Sequence, residues 1–279
     1  RASLPCSAFR CGIARTAGTG NRGRTAPRRP GSARIDSRER ECYIITMSRH
    51  ASFTTSQFFD QAMADAYDQR NSALQPISES LHFLMALTLR DLPAGSRVLC
   101  VGVGTGAEIL SLATAFPGWS FVGVDPSGEM LAVARKRLGA AGFLNRCELV
   151  EGRLETVSEG DFDAVVCLLV AHFIAEADRP AFYAGIHDRL KPGGRLVSAE
   201  ISCDLDAPGF PRLLEDWKGV QALMGATPES LAKLETMMRE VLRIVRPSKT
   251  EALWREAGFP QPVPFFQAFA VRGWHATRP

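Results

Sequence analysis

Three glycines at a spacing of two residues separate an apolar run from an amphipathic run. The stretch reads V-L-C-V-G-V-G-T-G-A-E-I-L over residues 98–110, and its glycines are Gly102, Gly104 and Gly106. Glycine adopts backbone dihedrals that other residues avoid and carries no Cβ, so such a turn lets the backbone approach a nucleotide-like ligand. The N-terminus of the following helix then lies beside that ligand. Glycine-rich turns also join strands to helices that bind nothing, so the turn needs a second signal.

An acidic residue at the end of the next apolar run provides that signal. The run F-V-G-V ends at Asp125, about twenty residues after the first glycine, where nucleotide-binding α/β folds carry an acid that accepts hydrogen bonds from ribose hydroxyls. The alternative is that Asp125 caps the helix that begins after Pro126, and the two roles are compatible. Because both features fall at adjacent strand ends, we favour the ribose role.

Two classes of cofactor fit these residues. Gly102, Gly104 and Ala107 also satisfy the dinucleotide pattern G-x-G-x-x-G/A, which expects a pyrophosphate at the helix N-terminus. Glu108 lies in the first turn of that helix and would repel a pyrophosphate, whereas a bound amino acid moiety would be repelled less.

The elements around the turn alternate between strands and helices. We predict strands at 97–101, 120–124, 147–151, 162–170 and 195–201, and helices at 76–89, 107–115, 127–138 and 179–190. Strands that are apolar on both faces and alternate with helices predict a parallel sheet covered on both sides. Right-handed crossovers make this a doubly wound α/β fold, in which ligands bind at the carboxyl ends of the strands.

Residues 202–247 interrupt this alternation. They contain two predicted helices, and the second begins with Thr227 as its cap, followed by Pro228 and a long apolar stripe at Leu231, Leu234, Met238, Val241 and Val245. The sequence Ser-Lys-Thr-Glu at 248–251 predicts a capping box for a further helix that ends at Gly258. The remaining chain predicts a final pair of strands.

The basic character of the chain comes from its first 46 residues. This leader contains ten arginines, no lysine and three acids, so the rest of the chain has a net charge of −4. Its Arg-, Gly-, Ala-, Ser- and Pro-rich composition without a period predicts disorder. Because periodicity improves after Met47, we interpret residues 1–46 as upstream sequence or a fusion remnant, rather than a transit peptide or a nucleic-acid-binding tail. The negative balance of the rest argues against nucleic acid as the main substrate.

The cysteines and the apolar runs give evidence on the cellular compartment of the chain. The seven cysteines are scattered and none forms a C-x-x-C pair, which predicts reduced thiols in a cytoplasmic chain, and neither a disulfide scaffold nor a metal site. No apolar run approaches the ~18–20 residues that a membrane span requires.

An ordered set of motifs resembles the class I S-adenosylmethionine-dependent methyltransferases, in their small-molecule branch, over about residues 55–275. The motifs are V-L-C-V-G-V-G-T-G, F-V-G-V-D-P-S-G-E-M-L, C-E-L-V-E-G-R-L, D-F-D-A-V-V-C-L-L-V-A-H-F and L-K-P-G-G-R-L-V. The resemblance implies a seven-stranded Rossmann-like sheet with its last strand antiparallel. It further implies a methyltransferase domain at 47–279 with a helical lid insertion at 202–247, and S-adenosylmethionine as cofactor.

The resemblance also implies which residues hold that cofactor. The glycine turn would cradle the adenosyl and methionine parts, and Asp125 would bind the ribose. Met130 would flank the adenine, and Arg153 and Leu154 would meet the adenine edge. Leu168, Leu169 and Val170, at the end of the fourth strand, would line the methionine side. Upstream, Q-F-F-D-Q-A-M-A-D-A-Y-D-Q-R resembles the opening of the same branch, in which Tyr67 and Arg70 would close over the ligand's carboxylate; a surface helix is the alternative. The full predicted set is Tyr67, Arg70, Gly102, Val103, Gly104, Gly106, Glu108, Asp125, Pro126, Met130, Arg153, Leu154 and Leu168.

Two residues depart from the family pattern. Cys100 occupies the position where many members carry an acid that steers the ligand's amino group, so Glu108 or a backbone carbonyl would have to meet that group. Arg153 stands where many members carry an aspartate that accepts from the adenine amine, and arginine has no acceptor.

The sequence indicates less about the residues that would bind the methyl acceptor. His172 follows the fourth strand where the family often faces its acceptor, so it is a candidate general base, although a lone histidine after a strand is more often structural. Six apolar residues are candidates for the acceptor pocket, with core packing or a homodimer contact through 202–247 as the alternative for most of them: Trp217, Met224, Met237, Met238, Phe265 and Phe266.

Two alternative functions stay open. Carboxy-S-adenosylmethionine synthase shares the general plan and a similar insertion, but its inserted helix has an arginine directly after the lysine, where this chain has Gly219 after Lys218. The other alternative is a Rossmann-like module that binds a nucleotide and transfers nothing.

Overall fold

The computed structural model describes residues 72–279, and the predictions on the leader at 1–46 and on Tyr67 and Arg70 lie outside these described residues. The strands are β1 Arg97–Val101, β2 Ser120–Asp125, β3 Cys147–Glu151, β4 Phe162–Leu168, β5 Leu190–Ile201, β6 Val263–Ala268 and β7 Val271–Thr277. The helices are α1 Gln75–Leu89, α2 Ala107–Ala115, α3 Gly128–Ala140, α4 Arg179–Arg189, α5 Phe210–Leu223, α6 Pro228–Ala232, α7 Leu234–Thr236 and α8 Pro247–Glu256.

The seven strands form one sheet in the order β3-β2-β1-β4-β5-β7-β6. Strands β1 to β5 pair in parallel, and β7 runs antiparallel between β5 and β6. The strand order reverses between β1 and β4, so the switch point lies beside the carboxyl end of β1, where the glycine turn begins. The predicted doubly wound sheet with an antiparallel last strand is confirmed.

Both faces of the sheet are covered by apolar layers. On one face, side chains of α1, α2 and α3 pack on β1 and β4, with Met85, Ile109 and Leu138 among the buried members. On the other face, α4 and α8 pack on the same strands through Phe182 and Trp254. This two-sided burial explains why the parallel strands are apolar at nearly every position.

Of two predicted helix caps, one is correct and one is wrong. The Ser127 hydroxyl accepts a hydrogen bond from Met130 N at 3.2 Å and begins α3 as predicted. The predicted capping box at 248–251 is wrong, because α8 begins two residues earlier than that box requires, at Pro247, and its N-cap, Arg246, makes no side-chain cap. A proline is favoured in the first helical turn, and it draws Ser248 inside the helix.

The insertion differs most from its predicted form. Helix α5 is continuous and Thr227 caps α6 by accepting from Ser230 N, but the predicted long second helix breaks into α6, α7 and a π-helical turn at Met237–Val241. The apolar stripe is nevertheless buried at Leu234, Met238 and Val245. The chain leaves the helix at Leu242 in an extended conformation because it must return to the end of β4.

None of the helices in the described range 72–279 is both long and apolar enough to cross a membrane.

Candidate functional site

The glycine turn has the left-handed backbone that its composition predicts. The φ angles are +67° at Gly102, +49° at Gly104 and +79° at Gly106, a region that other residues rarely adopt. A Cβ on Gly102 would lie 2.3 Å from Cγ2 of Val170, and one on Gly104 would lie 3.3 Å from Cε of Met130. Both the backbone angles and the space therefore require glycine at this turn.

Backbone hydrogen bonds fix the turn to the end of β2. Gly102 N and Val103 N donate to Val124 O at 2.8 and 3.1 Å, and Gly106 N donates to Val103 O at 2.8 Å. The Val103 side chain is buried in the apolar layer beneath the turn. Its predicted ligand contact can therefore come only from its backbone.

Asp125 holds the middle of the turn. Its Oδ2 accepts from Gly104 N at 2.8 Å and its Oδ1 accepts from Ser127 N at 2.9 Å. Burial raises the pKa of this carboxyl, and the two backbone N–H groups oppose that rise. The cap of α3 is Ser127, so Asp125 does not cap that helix. Each carboxylate oxygen of Asp125 keeps a further acceptor site for a ribose hydroxyl.

We expect Asp125→Asn to weaken binding of an adenosyl ligand by roughly ten- to a hundredfold, because an amide NH₂ would face a backbone N–H that needs an acceptor. Titration calorimetry with S-adenosylhomocysteine measures this loss. Asp163→Asn is the matched control, since Asp163 accepts from Arg97 N at 2.8 Å at the amino ends of β4 and β1, away from the glycine turn. Equal losses of affinity in the two variants would contradict a direct role for Asp125.

The residues predicted to flank an adenine lie around β2 and β3. The Met130 side chain is buried against Gly104, and Pro126 is half-buried between β2 and α3. Leu154 is buried in the core layer under α4, so only its backbone can face a ligand, whereas Arg153 is exposed. Leu168 is half-buried at the end of β4.

Val170 contacts the glycine turn, and the sequence predicted it only as part of the segment 168–170 that would line the methionine side. Its side chain presses on the Gly102 backbone and closes the turn from the β4 side. The preceding Leu169 has a φ of +59°, which ends β4 two residues earlier than predicted. No periodic signal marks either feature, because both arise from how the chain leaves the strand.

Glu108 contributes a buried carboxyl group at the N-terminus of α2. Its side chain is 6% exposed, and burial together with the charge of Asp125 raises its pKa to about 8. Cys100 is fully buried in the apolar layer under α1 and α2, and burial followed by the charge of Glu108 raises the pKa of its thiol.

His172 belongs to the framework of the site. Its ring is 3% exposed, its Nδ1 accepts from Ile201 N at 3.3 Å, and its backbone oxygen accepts from Arg243 N at 2.8 Å. Burial, with a smaller effect of the Arg179 charge, lowers the ring pKa to about 3. A ring that stays neutral and already uses its lone pair does not suit a general base, so the prediction of that role at His172 is not supported.

Asparagine at position 172 should keep the function of this residue, because its Oδ1 can accept from Ile201 N as the imidazole Nδ1 does. We expect His172→Asn to retain the turnover number of the enzyme within about threefold. His172→Leu, which lacks the acceptor, should lower the stability of the fold by roughly 1–3 kcal/mol. A loss of turnover above about a hundredfold in the asparagine variant would restore the general-base interpretation.

A buried ionic cluster lies next to His172 at the carboxyl end of β5. Arg179 Nη1 donates to Glu200 Oε2 at 2.8 Å, and both side chains are almost completely buried. Thr250 Oγ1 donates to Glu200 Oε1 at 2.8 Å, and Arg179 also donates to the backbone oxygens of Ile174 and Arg243. The cluster thereby joins α4, α8 and the end of the insertion to the carboxyl ends of the strands, which is also where the glycine turn lies.

Most of the apolar residues predicted for an acceptor pocket are core. Trp217, Met238 and Phe266 are buried in a cluster that α5 and the insertion form over β5 and β7. Met237 is also buried, whereas Met224 and Phe265 are half-buried.

The arrangement suits an adenosyl ligand that carries an amino acid. The left-handed backbone of the glycine turn excludes side chains, Asp125 offers acceptors, and the buried Glu108 lies in the first turn of α2. A dinucleotide would bring the negative charge of its pyrophosphate against Glu108.

Comparisons with known proteins agree with this geometry. A family model described as a methyltransferase domain matches residues 98–194. Carboxy-S-adenosyl-L-methionine synthase of Chromohalobacter salexigens is 26% identical over 227 residues, covering 81% of this chain and 83% of the relative. Demethylmenaquinone methyltransferase of Tropheryma whipplei is 31% identical over 147 residues, covering 50% of this chain and 56% of the relative.

A solved structure shows the same fold. An O-methyltransferase family protein from Burkholderia thailandensis superposes with a TM-score of 0.62 at 17% identity, covering 86% of this chain and 68% of that chain.

Proposed function

Because the chain belongs to the class I S-adenosylmethionine-dependent methyltransferases, we propose that it transfers the methyl group of S-adenosylmethionine to a small-molecule acceptor. The observation that carries the proposal is the hydrogen bond from Gly104 N to Asp125 Oδ2 at 2.8 Å. It joins a turn that only glycine can form to the acid at the next strand end.

Different described residues would contact different parts of the donor. Gly102 and Gly104 would lie under the sulfur and ribose, Asp125 would accept from the ribose hydroxyls, and Met130 would pack beside the adenine. When bound, S-adenosylmethionine supplies a methyl group on a sulfonium, which departs as a neutral thioether. Because that methyl group is already reactive, a site that aligns donor and acceptor contributes much of the rate by positioning alone.

The framework role of His172 bears on the acceptor. Because the His172 ring is neutral and its Nδ1 already accepts a hydrogen bond, methyl transfer would depend on the alignment of donor and acceptor. It would also depend on an acceptor whose proton can leave to solvent. This favours an acceptor that is nucleophilic near neutral pH over an alkyl hydroxyl, which would require a strong base.

Carboxy-S-adenosylmethionine synthase is the second candidate, and its relatives match most of this chain. The extra carboxylate of its product calls for a positive partner. Here Lys218 donates to Glu215 at 2.7 Å, and the next residue, Gly219, has no side chain and only open space around it, so the helix offers no arginine at that place. We therefore favour methyl transfer.

Methyl transfer is tested with donor that carries a labelled methyl group and with fractionated metabolite pools as acceptors. We expect release of S-adenosylhomocysteine together with label in one pool. Donor binding without release in every pool would identify a non-catalytic binding module. Mass spectrometry of the ligand retained through purification separates the carboxylated cofactor from S-adenosylmethionine by its mass.

Two further proposals concern assembly and compartment. Leu223, at the end of α5 in the insertion, is strongly exposed and supports a homodimer contact through 202–247. The four cysteines of the described range, which are all free thiols, support a cytoplasmic location.

A further inference from the structure

One face of helix α3 packs along the glycine turn. Near the start of the helix, the Cε of Met130 would lie 3.3 Å from a Cβ added to Gly104. One helical turn later, the Cβ of Ala134 would lie 3.3 Å from a Cβ added to Gly106. Residues three or four apart in a helix share a face, so the same face of α3 meets both the middle and the end of the turn.

Arg137, three residues after Ala134, carries hydrogen-bond donors on this face. Its Nη1 donates to Thr105 O at 3.1 Å and to Thr105 Oγ1 at 2.7 Å. Thr105 is 3% exposed and Arg137 is half-buried. Hydrogen bonds from a charged donor are stronger than those between neutral groups, and burial strengthens them further. Arg137 therefore holds both the backbone and the side chain of the residue at the tip of the turn.

The bond to Thr105 O fixes a peptide group of the turn at both of its ends. The N–H of that peptide group belongs to Gly106, and it donates to Val103 O at 2.8 Å. The Val103–Gly104 peptide group is held in the same way, because its oxygen accepts from Gly106 N and its N–H donates to Asp125 Oδ2. Neither peptide group can rotate without the loss of a hydrogen bond at each end.

The glycines make this restraint necessary. Glycine populates positive and negative φ about equally, so a turn with glycine on both sides of Thr105 can rotate a peptide group at little steric cost. The freedom that permits a φ of +79° at Gly106 also permits other conformations there. Rotation of the Thr105–Gly106 group would carry its oxygen away from Arg137 and its N–H away from Val103 O. Arg137 thus selects one of the conformations that glycine allows.

We propose that Arg137 is a positioning residue for the donor, because it keeps the tip of the glycine turn in the conformation that binds an adenosyl ligand. The inference rests on the proposed function, since it assumes that the donor binds on this turn. Arg137 acts through Thr105 and Gly106 and does not itself contact the donor. A turn that is ordered before the ligand arrives costs less free energy to order on binding.

The first test removes the donors of Arg137 and keeps most of its stem. We expect Arg137→Met to weaken S-adenosylhomocysteine binding by about tenfold, because part of the binding free energy must then order the turn. Titration calorimetry of the full chain measures this loss. Arg135→Met makes the same substitution at an exposed position of α3 and should keep native affinity.

A conservative variant separates hydrogen bonding from packing. Both contacts to Thr105 come from the single atom Nη1, so the ammonium of a lysine can donate to the same two oxygens. We expect Arg137→Lys to restore S-adenosylhomocysteine affinity to within about threefold of the native value. Native affinity in Arg137→Met would overturn the proposal, as would equal losses in Arg137→Met and Arg135→Met. A lysine variant that binds no better than the methionine variant would also overturn it.

Amide hydrogen exchange tests the restraint without a ligand. The Gly106 N–H should be protected in the free, unmodified chain, and Arg137→Met should accelerate its exchange by about tenfold, whereas Arg135→Met should not. NMR spectroscopy follows this amide, and the measurement on the unmodified chain does not depend on the folding of any variant. Exchange there at the rate of an unstructured peptide would overturn the proposal. Failure of the unmodified chain to bind S-adenosylhomocysteine would instead overturn the proposed function.

Discussion

Gly102→Ala is expected to weaken S-adenosylhomocysteine binding by a hundredfold or more. The added Cβ would lie 2.3 Å from Cγ2 of Val170, and the φ of +67° is one that alanine rarely adopts. The backbone cannot relieve the φ strain by moving freely, because Gly102 N is fixed to Val124 O at 2.8 Å. Val170 cannot move freely away from the new Cβ either, because it begins the turn that carries His172. The turn must therefore move away from its ligand-binding geometry, at a cost of several kcal/mol.

Two other glycines separate the causes of this loss. Gly142 has a φ of +77° and nothing within 4 Å of its Cβ position, so Gly142→Ala measures the backbone strain alone. Gly219 lies in α5 with open space around it, so Gly219→Ala should be neutral or stabilise the helix by up to about 1 kcal/mol. Calorimetry should show native affinity in both controls. Native affinity in Gly102→Ala would mean that the turn is not the cradle of the ligand.

Arg179→Ala should have the largest effect on stability. The substitution leaves the Glu200 carboxyl buried with only Thr250 as a partner, and it frees the backbone oxygens of Ile174 and Arg243. Breaking a buried ion pair from one side costs about 3–5 kcal/mol, because the remaining charge cannot reach water. Urea unfolding followed by circular dichroism measures the free energy of unfolding.

An apolar replacement of the whole pair distinguishes charge from packing. Arg179→Met combined with Glu200→Leu should recover much of the loss, since no buried charge then remains. Arg255→Ala, which removes a half-exposed ion pair with Glu251, should cost less than about 1 kcal/mol. A loss below that value in Arg179→Ala would show that the cluster is not held by its charges.

The cluster also affects function. Arg179 holds the backbone of Arg243, and Ser202 Oγ donates to Val245 O at 2.8 Å, so the exit of the insertion is tied to the carboxyl ends of β4 and β5. Loosening this exit in Arg179→Ala should raise the KM for the acceptor more than the Kd for the donor. The proposed donor site is on β1 and β2, whose contacts the substitution leaves intact.

The parts of the fold that follow local rules were predictable from the sequence. Strands apolar on both faces, a glycine turn and an acid at the next strand end indicate a parallel sheet and its switch point without knowledge of tertiary contacts. Ser127 and Thr227 were correctly predicted as caps because a cap depends on neighbours in the chain.

The features that depend on distant residues were not predictable. The broken second helix of the insertion follows from the return of Arg243 to the His172 backbone, a contact between residues far apart in the chain. The same holds for His172, because its Nδ1 accepts from Ile201 N, a residue 29 positions away in the chain. Glu108 was marked by its position in the first helical turn, but its burial and the raised pKa of its carboxyl appear only once the core around it is assembled.

The central claim is that this chain binds an adenosyl donor on its glycine turn rather than a dinucleotide. Titration calorimetry of the full chain with S-adenosylhomocysteine and with NAD, under identical conditions, tests it most directly. We predict micromolar or tighter binding of S-adenosylhomocysteine and no measurable heat with NAD, because the buried acid Glu108 lies in the first turn of α2, at the helix N-terminus where a pyrophosphate would bind. Binding of NAD without binding of S-adenosylhomocysteine would contradict the claim.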